Sequence, residues 1–366
     1  MEVKELENVQ QVGLFGALTQ LGHEQVVFCH DEATGLKAII AIHNTVLGPA
    51  LGGTRMWNYA NEQEALTDVL RLSRGMTFKA AISGLNLGGG KAVIIGNAST
   101  QKTEAFLRRF GKFVNSLNGK YITAEDVNMK TSDMEYINME TKHVTGLPES
   151  MGGGGDPSPV TAFGVYMGMK ATARHVFGTE SLEGKRIGVQ GVGQVGMHLV
   201  EYLKKEGAQI FITDLFADKV KSLATRFGVT GIAQDDIYDL DMDIYAPCAL
   251  GATLNDDTIP RLRCAMVAGA ANNQLKDEVK HGYMLIDRSI AYAPDFLINA
   301  GGLINVYNEY LGHYNRERVF AQAEKIYQTC TNILELASAE RISTQEAAIR
   351  LAQDRIDAIG RVRMTR

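Results

Sequence analysis

A chain of 366 residues, 45% hydrophobic and 22% charged, has room for two domains at roughly 100–200 residues each. Its formal net charge of −5 excludes the clustered basic surface of a nucleic-acid binder. No apolar run approaches the roughly 18 residues that a membrane-spanning helix needs. Cys29, Cys248, Cys264 and Cys330 are scattered, as are the eight histidines, so neither a disulfide framework nor a metal site is expected. Residues 1–7 are acidic and lack the apolar core of a signal peptide. The expectation is a soluble, reduced, cytoplasmic protein with no nucleic-acid or membrane partner.

Residues 25–29 and 36–43 read as strands joined by the turn chemistry of residues 31–35. Residues 47–57 hold Gly48, Gly52 and Gly53 with the single tryptophan, Trp57, and read as a loop. Asn61 with Glu64 three residues on resembles a capping box. Leu66, Val69, Leu70 and Ser73 give the helix that follows one apolar face, and it delivers the chain into residues 75–79. Gly88, Gly89 and Gly90 then precede Lys91, as suits a tight turn or a close approach of backbone to ligand. Residues 92–95 read as a buried strand. Lys79 and Lys91 thus lie at element ends in a segment poor in charge, and lysine is rarely buried unless paired or used. The plain alternative is two surface lysines beside a glycine turn. A phosphate loop would need Gly at position 85 and Ser or Thr at 92; Leu85 and Ala92 exclude it.

Thr103 caps a second helix whose Phe106, Leu107, Phe110, Val114 and Leu117 form a core stripe. Residues 120–126 read as a short strand ending in Glu125 and Asp126, for which a helix cap or exposed turn is the plain alternative. Gly152, Gly153, Gly154 and Gly155, followed by Pro157 and Pro159, read as a domain boundary and hinge. A helix is expected over 161–176.

A strand at 187–190 runs into Gly191-Val192-Gly193-Gln194-Val195-Gly196, which opens a helix at 197–205. The next strand, 207–213, ends at Asp214, 23 residues after Gly191. In this context the first glycine makes the turn, the second admits the pyrophosphate and the third packs helix on strand. The helix N-terminus stabilises the phosphate charge. Asp214 can accept from the ribose hydroxyls and repels a 2′-phosphate. Leu215 and Phe216 follow it, not arginine, which favours NAD over NADP. Short strands are expected at 243–246, 265–268 and 284–286. Small-residue loops at 247–251 and 269–274 lie at strand ends, where a doubly wound sheet binds ligand. A long helix at 316–337, a capping box at Ser343 and Glu346, and a final helix bearing Ile349, Ala352, Ile356 and Ile359 complete the chain. That last helix is expected to pack on the first domain.

A dinucleotide fold implies hydride transfer without naming the substrate. Oxidising an amine needs a cation for the substrate carboxylate, a base that activates water against the imine, and a group that carries the nitrogen's proton. Lys79, Lys91 and Asp126 are such a set. A lysine base must be neutral near pH 7; a neighbouring ammonium and desolvation bring it to roughly 7–8 in enzymes that use lysine so. Lys79 is expected to act on Lys91 in this way.

Residues 47–57, 75–79, 87–91, 122–126, 156–161, 191–196 and 299–302 carry, in this order, a resemblance to the Glu/Leu/Phe/Val dehydrogenase family, nearest to its leucine-specific branch. It covers almost the whole chain. The resemblance implies an α/β fold: an N-terminal α/β substrate domain (1–147, completed by the C-terminal helix 343–366) and a Rossmann domain (148–342), with a cleft between them. It implies that Lys79 pairs with the substrate carboxylate, Lys91 activates water and Asp126 handles the amine proton. Thr161 and Asn273 would contact nicotinamide and substrate, Gly53 would adjoin the substrate, and the Gly191–Gly196 turn with Asp214 would hold NAD. The implied reaction turns an L-amino acid, NAD and water into a 2-oxo acid, ammonia and NADH, in a homo-oligomer, an octamer. Leu51, Ala124, Leu303 and Val306 would line the side-chain pocket. A glutamate carboxylate buried there costs several kcal/mol, whereas leucine, isoleucine and valine differ by roughly 1–3 kcal/mol per methylene. Relatives often carry Val at the position of Leu303. Its extra methylene is expected to favour smaller branched substrates, unless Leu303→Val leaves the leucine-to-valine ratio of kcat/KM unchanged. Relatives are also less purely glycine at 152–155, which leaves the hinge open. The alternatives are a valine- or phenylalanine-preferring member and a non-catalytic NAD-binding sensor. The sensor reading predicts loss of Lys79, Lys91 or Asp126, and all three are present.

Overall fold

The computed structural model describes residues 9–364, so the acidic residues 1–7 lie outside the described residues. The chain divides into two compact units, Met1–Gly155 with Val306–Tyr314 and Ala352–Arg366, and Asp156–Asn305 with Asn315–Leu351. The expected division differs from this in detail. Residues 148–155 and 306–314 go with the first unit, and 343–351 go with the second.

The first unit runs α1 (Val9–Leu21), β1 (Gln25–Asp31), β2 (Leu36–Asn44), β3 (Ala50–Trp57), α2 (Glu62–Ile82), β4 (Gly88–Ile95), α3 (Glu104–Ser116), β5 (Tyr121–Glu125) and α4 (Thr131–Asn138). Its sheet has the order β1-β2-β4-β3-β5, in which β3 pairs in parallel with both β4 and β5. One face carries Ala50, Met56, Ala92, Ile94 and Tyr121 against Phe106, Phe110 and Val114 of α3, the stripe expected to be core. The other face carries Ile39, Ala41 and Val93 against Leu66, Val69 and Leu70 of α2.

The glycine-rich stretches are strands, not loops. Residues 50–57, expected as loop, form β3, and Gly88–Gly90, expected as a turn, are the first residues of β4. Their missing side chains make room for protein. A Cβ on Gly88 would stand 2.0 Å from the Asn44 carbonyl oxygen, on Gly89 2.1 Å from Thr77 Oγ1, and on Gly90 2.7 Å from the Tyr121 ring. Helix α2 also runs past its expected end, through Gly75 and Lys79 to Ile82, because Thr77, Phe78, Ala80 and Ala81 continue its buried side. It starts at Asn61 as expected: Asn61 Oδ1 accepts from the Glu64 N–H at 2.9 Å, and Glu64 accepts from the Ala60 N–H at 2.7 Å. At its far end Arg355 donates to the carbonyls of Ala81 (3.1 Å) and Leu85 (2.7 Å).

The second unit contains α5 (Ser158–Phe177), β6 (Arg186–Gln190), α6 (Gln194–Lys205), β7 (Gln209–Thr213), α7 (Ala217–Phe227), β8 (Thr230–Gly231), β9 (Ile244–Pro247), β10 (Met266–Val267), α8 (Lys280–Asp287), β11 (Ala291–Tyr292), α9 (Asp295–Ile298), the first half of α10 (Gly301–Tyr310), α11 (Arg316–Glu324), α12 (Ile326–Glu340) and the start of α13 (Thr344–Met364). Its six strands are parallel, in the order β11-β10-β9-β6-β7-β8. That is the doubly wound dinucleotide arrangement, with the strand order reversing between β6 and β9. Residues 284–286, expected as a strand, belong to α8, and the edge strand is β11. A three-residue apolar run suits either element, and the buried Leu285 here serves a helix. The helix expected over 316–337 is two, parted at Lys325, the second reaching Glu340. In α13 Ala352 and Ile356 are buried as expected, while Ile359 is 39% exposed. Among the described residues no helix is long and apolar enough to cross a membrane.

Candidate active site

Register places the candidate residues of the first unit. Paired residues on neighbouring strands share a face, and faces alternate along each strand. Gly53 pairs with Ala124 and Leu51 with Gly89, so Leu51, Gly53, Arg55, Ala124, Gly89 and Lys91 all belong to the face that α2 covers. Lys91, in mid-strand rather than at a strand end, is 6% exposed. Its ammonium bonds Asp126 Oδ2 at 2.7 Å. Asp126 comes directly after β5, where neighbouring strands run parallel and bring their C-terminal ends together. Gly53 between them makes this possible, since a Cβ there would lie 2.9 Å from Asp126 Cβ. Glu125, by contrast, points away, is exposed and accepts from the Thr131 hydroxyl at 2.6 Å. Lys79 is half-buried in the last turn of α2, on a helix and not at a strand end.

A second cation reaches the same oxygen. Arg55 Nε donates to Asp126 Oδ2 at 3.1 Å, and its Nη1 donates to Asp68 Oδ2 at 3.0 Å. The Tyr59 hydroxyl also donates to Asp68 Oδ2, at 2.6 Å. Burial alone would push the Asp126 carboxyl up, but Lys91 and then Arg55 outweigh it and hold it below the usual range. Asp126 is therefore a carboxylate near neutrality, able to accept a proton.

The second unit has its own candidate residues in the turn after β6. Gly191 has φ +96°, and a Cβ there would stand 2.5 Å from Ala249 Cβ, in the loop after β9 at the point where the strand order reverses. A Cβ on Gly196 would meet the Gly191 carbonyl oxygen at 2.1 Å. Around Gly193 nothing lies within 4 Å of the position a Cβ would take. No side chain caps α6, which begins at Gln194, three residues ahead of the expected start. A close backbone approach with an uncapped helix N-terminus fits a pyrophosphate. Asp214 Oδ2 accepts from the Val192 N–H at 3.0 Å and from Lys219 Nζ at 3.1 Å. Burial raises the Asp214 carboxyl, and the bonds from Val192, Lys219 and Phe216 bring it below its ordinary value. A carboxylate acceptor thus stands beside the glycine turn, and these residues fit a dinucleotide.

Asn273 has φ +52°, a left-handed conformation that asparagine tolerates better than most residues. Its loop is tied down by neighbours: Gln274 Nε2 donates to the carbonyls of Gly269 (2.7 Å) and Ala271 (3.0 Å), and Asn299 Nδ2 donates to Asn272 Oδ1 (2.8 Å). Thr161 is in the first turn of α5, where its hydroxyl donates to the Pro157 carbonyl at 3.0 Å. A Cβ on Gly302 would lie 3.1 Å from Thr161 Oγ1. Leu303 is buried and Val306 half-buried, one turn apart on α10.

The family description "Glu/Leu/Phe/Val dehydrogenase, dimerisation domain" matches residues 23–143, and "Glutamate/Leucine/Phenylalanine/Valine dehydrogenase" matches residues 212–363. The chain belongs to this family. It is 54% identical to a leucine dehydrogenase of Bacillus subtilis over 96% of both chains. It is 46% identical to a phenylalanine dehydrogenase of Lysinibacillus sphaericus, over 97% of this chain and 94% of that one. The crystal structure of L-tryptophan dehydrogenase from Nostoc punctiforme superposes with a TM-score of 0.85 at 47% identity, covering 95% of this chain and all of that one. The protein is an amino-acid dehydrogenase.

In this dehydrogenase, sequence reasoning missed Arg55, Asp68, Tyr59 and Lys219. Arg55 lay inside a segment read as loop, and its two carboxylate partners are 13 and 71 residues away along the chain, so no local pattern joined them. Lys219 was within reach: it is five residues past Asp214, in the first turn of α7.

Proposed function

We propose that this dehydrogenase oxidatively deaminates branched-chain L-amino acids, leucine together with valine and isoleucine, to 2-oxo acids and ammonia. The observation that carries this reading is the buried Lys91–Asp126 pair on the same sheet face as Leu51, Gly53 and Ala124. Lys79 holds the substrate carboxylate. The Asp126 carboxylate takes a proton from the substrate ammonium, leaving a free amine. The Gly191–Gly196 turn (Gly191, Val192, Gly193, Gln194, Val195, Gly196) with Thr161, Asp214 and Asn273 would hold NAD, which would supply an acceptor for the hydride on Cα. Lys91 removes a proton from water as its oxygen adds to the resulting imine carbon. The proton on Asp126 returns to nitrogen, the added oxygen gives its remaining proton to the freed Asp126 carboxylate as C=O forms and the C–N bond breaks, and ammonia and the 2-oxo acid leave. Each step reverses.

Leu51, Ala124, Leu303 and Val306 meet the substrate's side chain, with Asn273 also on the substrate. An apolar lining disfavours glutamate, whose carboxylate would be desolvated without a partner. The leucine reading is supported by the 54% identity to the Bacillus subtilis leucine dehydrogenase. The 46–47% identities to enzymes named for phenylalanine and tryptophan support a wider pocket as the second reading, and a panel of amino acids decides between them. We further place the enzyme in the cytoplasm as a homo-oligomer, an octamer; the dimerisation-domain match supports self-association.

The test is Lys91→Ala beside Asp126→Asn. Both should bind NAD like the parent while leucine deamination falls by roughly 10²–10⁴-fold, the usual weight of general acid–base catalysis. Full deamination rates in either would overturn these roles.

A further inference from the structure

The Lys91–Asp126 pair ends a longer chain of charges. From outside inward, the Tyr59 hydroxyl donates to Asp68 at 2.6 Å, and Arg55 donates to Asp68 at 3.0 Å and to Asp126 at 3.1 Å. Lys91 completes it at 2.7 Å. Four elements contribute: α2 gives Asp68, β3 gives Arg55, β4 gives Lys91, and the end of β5 gives Asp126. The charges alternate and sum to zero. Such a balance makes a half-buried row of ions tolerable, because each is paired on leaving water.

The outer members face the site without being able to do its chemistry. Arginine is always charged and cannot take a proton from water or an amine. Its planar fork, however, holds two carboxylates at a fixed separation, and here it spans Asp68 and Asp126. The two side chains of that outer pair are 24% and 27% exposed, well shielded from bulk water. We propose that Arg55, braced by Asp68 and Tyr59, is a positioning residue that aims the Asp126 carboxylate and keeps it negative until it takes the substrate's proton.

The reason is electrostatic. During deamination Asp126 must accept a proton from the substrate nitrogen and later return it. With Lys91 as sole cation, the carboxylate would lose its partner whenever Lys91 became neutral to serve as base. Arg55 remains charged throughout, so Asp126 is ionised before it takes the substrate's proton and again after it returns it. Asp68 fixes the guanidinium and tempers its charge. Other titratable groups around Asp126 are Glu125 on the opposite face of β5, and Tyr121, whose hydroxyl donates to the Gly52 carbonyl at 2.5 Å.

This inference rests on the acid–base roles proposed for Lys91 and Asp126, and its test separates the two. The measurement is the pH dependence of kcat/KM for leucine in the full-length enzyme, for Arg55→Gln, Arg55→Lys and Asp68→Asn. Arg55 is one of the cations that hold the Asp126 carboxyl low, so removing it lets that carboxyl rise. The acid limb of the Arg55→Gln profile should therefore move to higher pH by roughly one unit, the low end of what an adjacent arginine does to an aspartate. Arg55→Lys keeps the charge and loses the fork, so its limb should return toward that of the parent while its plateau stays below it. Asp68→Asn, which unmasks the arginine's charge, should move the limb the other way, to lower pH. Opposite displacements in Arg55→Gln and Asp68→Asn support the proposal. Limbs that stay with the parent, or move together, overturn it and leave a purely structural role, which lowers stability or rate without moving the profile. Should Arg55→Gln not fold, the direction of the Asp68→Asn limb alone decides. A fully active Asp126→Asn would instead overturn the underlying roles and this inference with them.

Discussion

Gly53 and Asp126 compete for one volume: a Cβ on Gly53 would stand 2.9 Å from Asp126 Cβ and 2.3 Å from the Glu125 carbonyl oxygen. No real Cβ accepts either distance, so Gly53→Ala must push the end of β5 away from β3. Asp126 would move with it, away from both Lys91 and Arg55. Displacements of this kind near a reacting centre cost on the order of a hundredfold in rate. The expected result is a fall in kcat of that size with NAD binding retained, and a loss of about 1–3 kcal/mol in stability from overpacking. Steady-state kinetics and urea unfolding check both; a fully active Gly53→Ala enzyme would show that β5 yields without moving Asp126.

Asp214 does not stand alone beside the glycine turn. Its Oδ2 is shared between the Val192 N–H and the Lys219 ammonium. Asp214→Asn should therefore do more than remove the charge that repels a 2′-phosphate. It leaves Lys219 free to attract one. The ratio of kcat/KM for NAD over NADP should drop by roughly tenfold or more, as expected when like-charge repulsion gives way to attraction. Adding Lys219→Met should reverse most of that gain. If the double variant uses NADP as well as Asp214→Asn alone does, Lys219 plays no part.

Acid should weaken the first unit through a histidine pair under α2. His43 Nε2 donates to the Leu21 carbonyl at 2.9 Å, which leaves its Nδ1 to accept from the Thr77 hydroxyl at 2.8 Å. His23 lies edge-on at 4.8 Å and bonds Leu70 and Ser73. Burial holds His43 neutral, its pKa lowered to about 4, and burial together with His43 lowers His23 to about 3. Unfolded, both titrate near 6.5. As pH falls below 6.5 the unfolded chain takes up protons that the folded one refuses, so folding stability falls with it. The contribution is fully present above about pH 7 and is lost progressively toward pH 4, on the order of 3 kcal/mol for His43. Unfolding free energy measured between pH 7.5 and 5 should slope less steeply in His43→Gln than in the parent. Equal slopes would remove His43 from the acid response.

Much of this protein can be read from its residues in order. Asn61 and Thr103 cap helices because their side chains bond backbone three residues on. Gly191, Gly193, Gly196 and Asp214 declare a dinucleotide turn because each glycine answers a local steric demand. Periodicity placed the α3 stripe in the core. These are short-range relations, and a one-dimensional pattern contains them in full.

Tertiary structure decided the rest. Gly88, Gly89 and Gly90 looked like a turn because glycine permits one. They are strand because Asn44, Thr77 and Tyr121, distant in sequence, press against the places where side chains would be. Met284, Leu285 and Ile286 suit a strand or a helix equally, and only the choice of neighbours makes them helix. The same holds for the chemistry. Composition and motif supplied two lysines and an aspartate, but the pairing of Lys91 with Asp126, and the Arg55 fork joining Asp126 to Asp68, exist because β3 runs parallel between β4 and β5. Charge acts through space, and the distances that set its strength are fixed when the sheet forms.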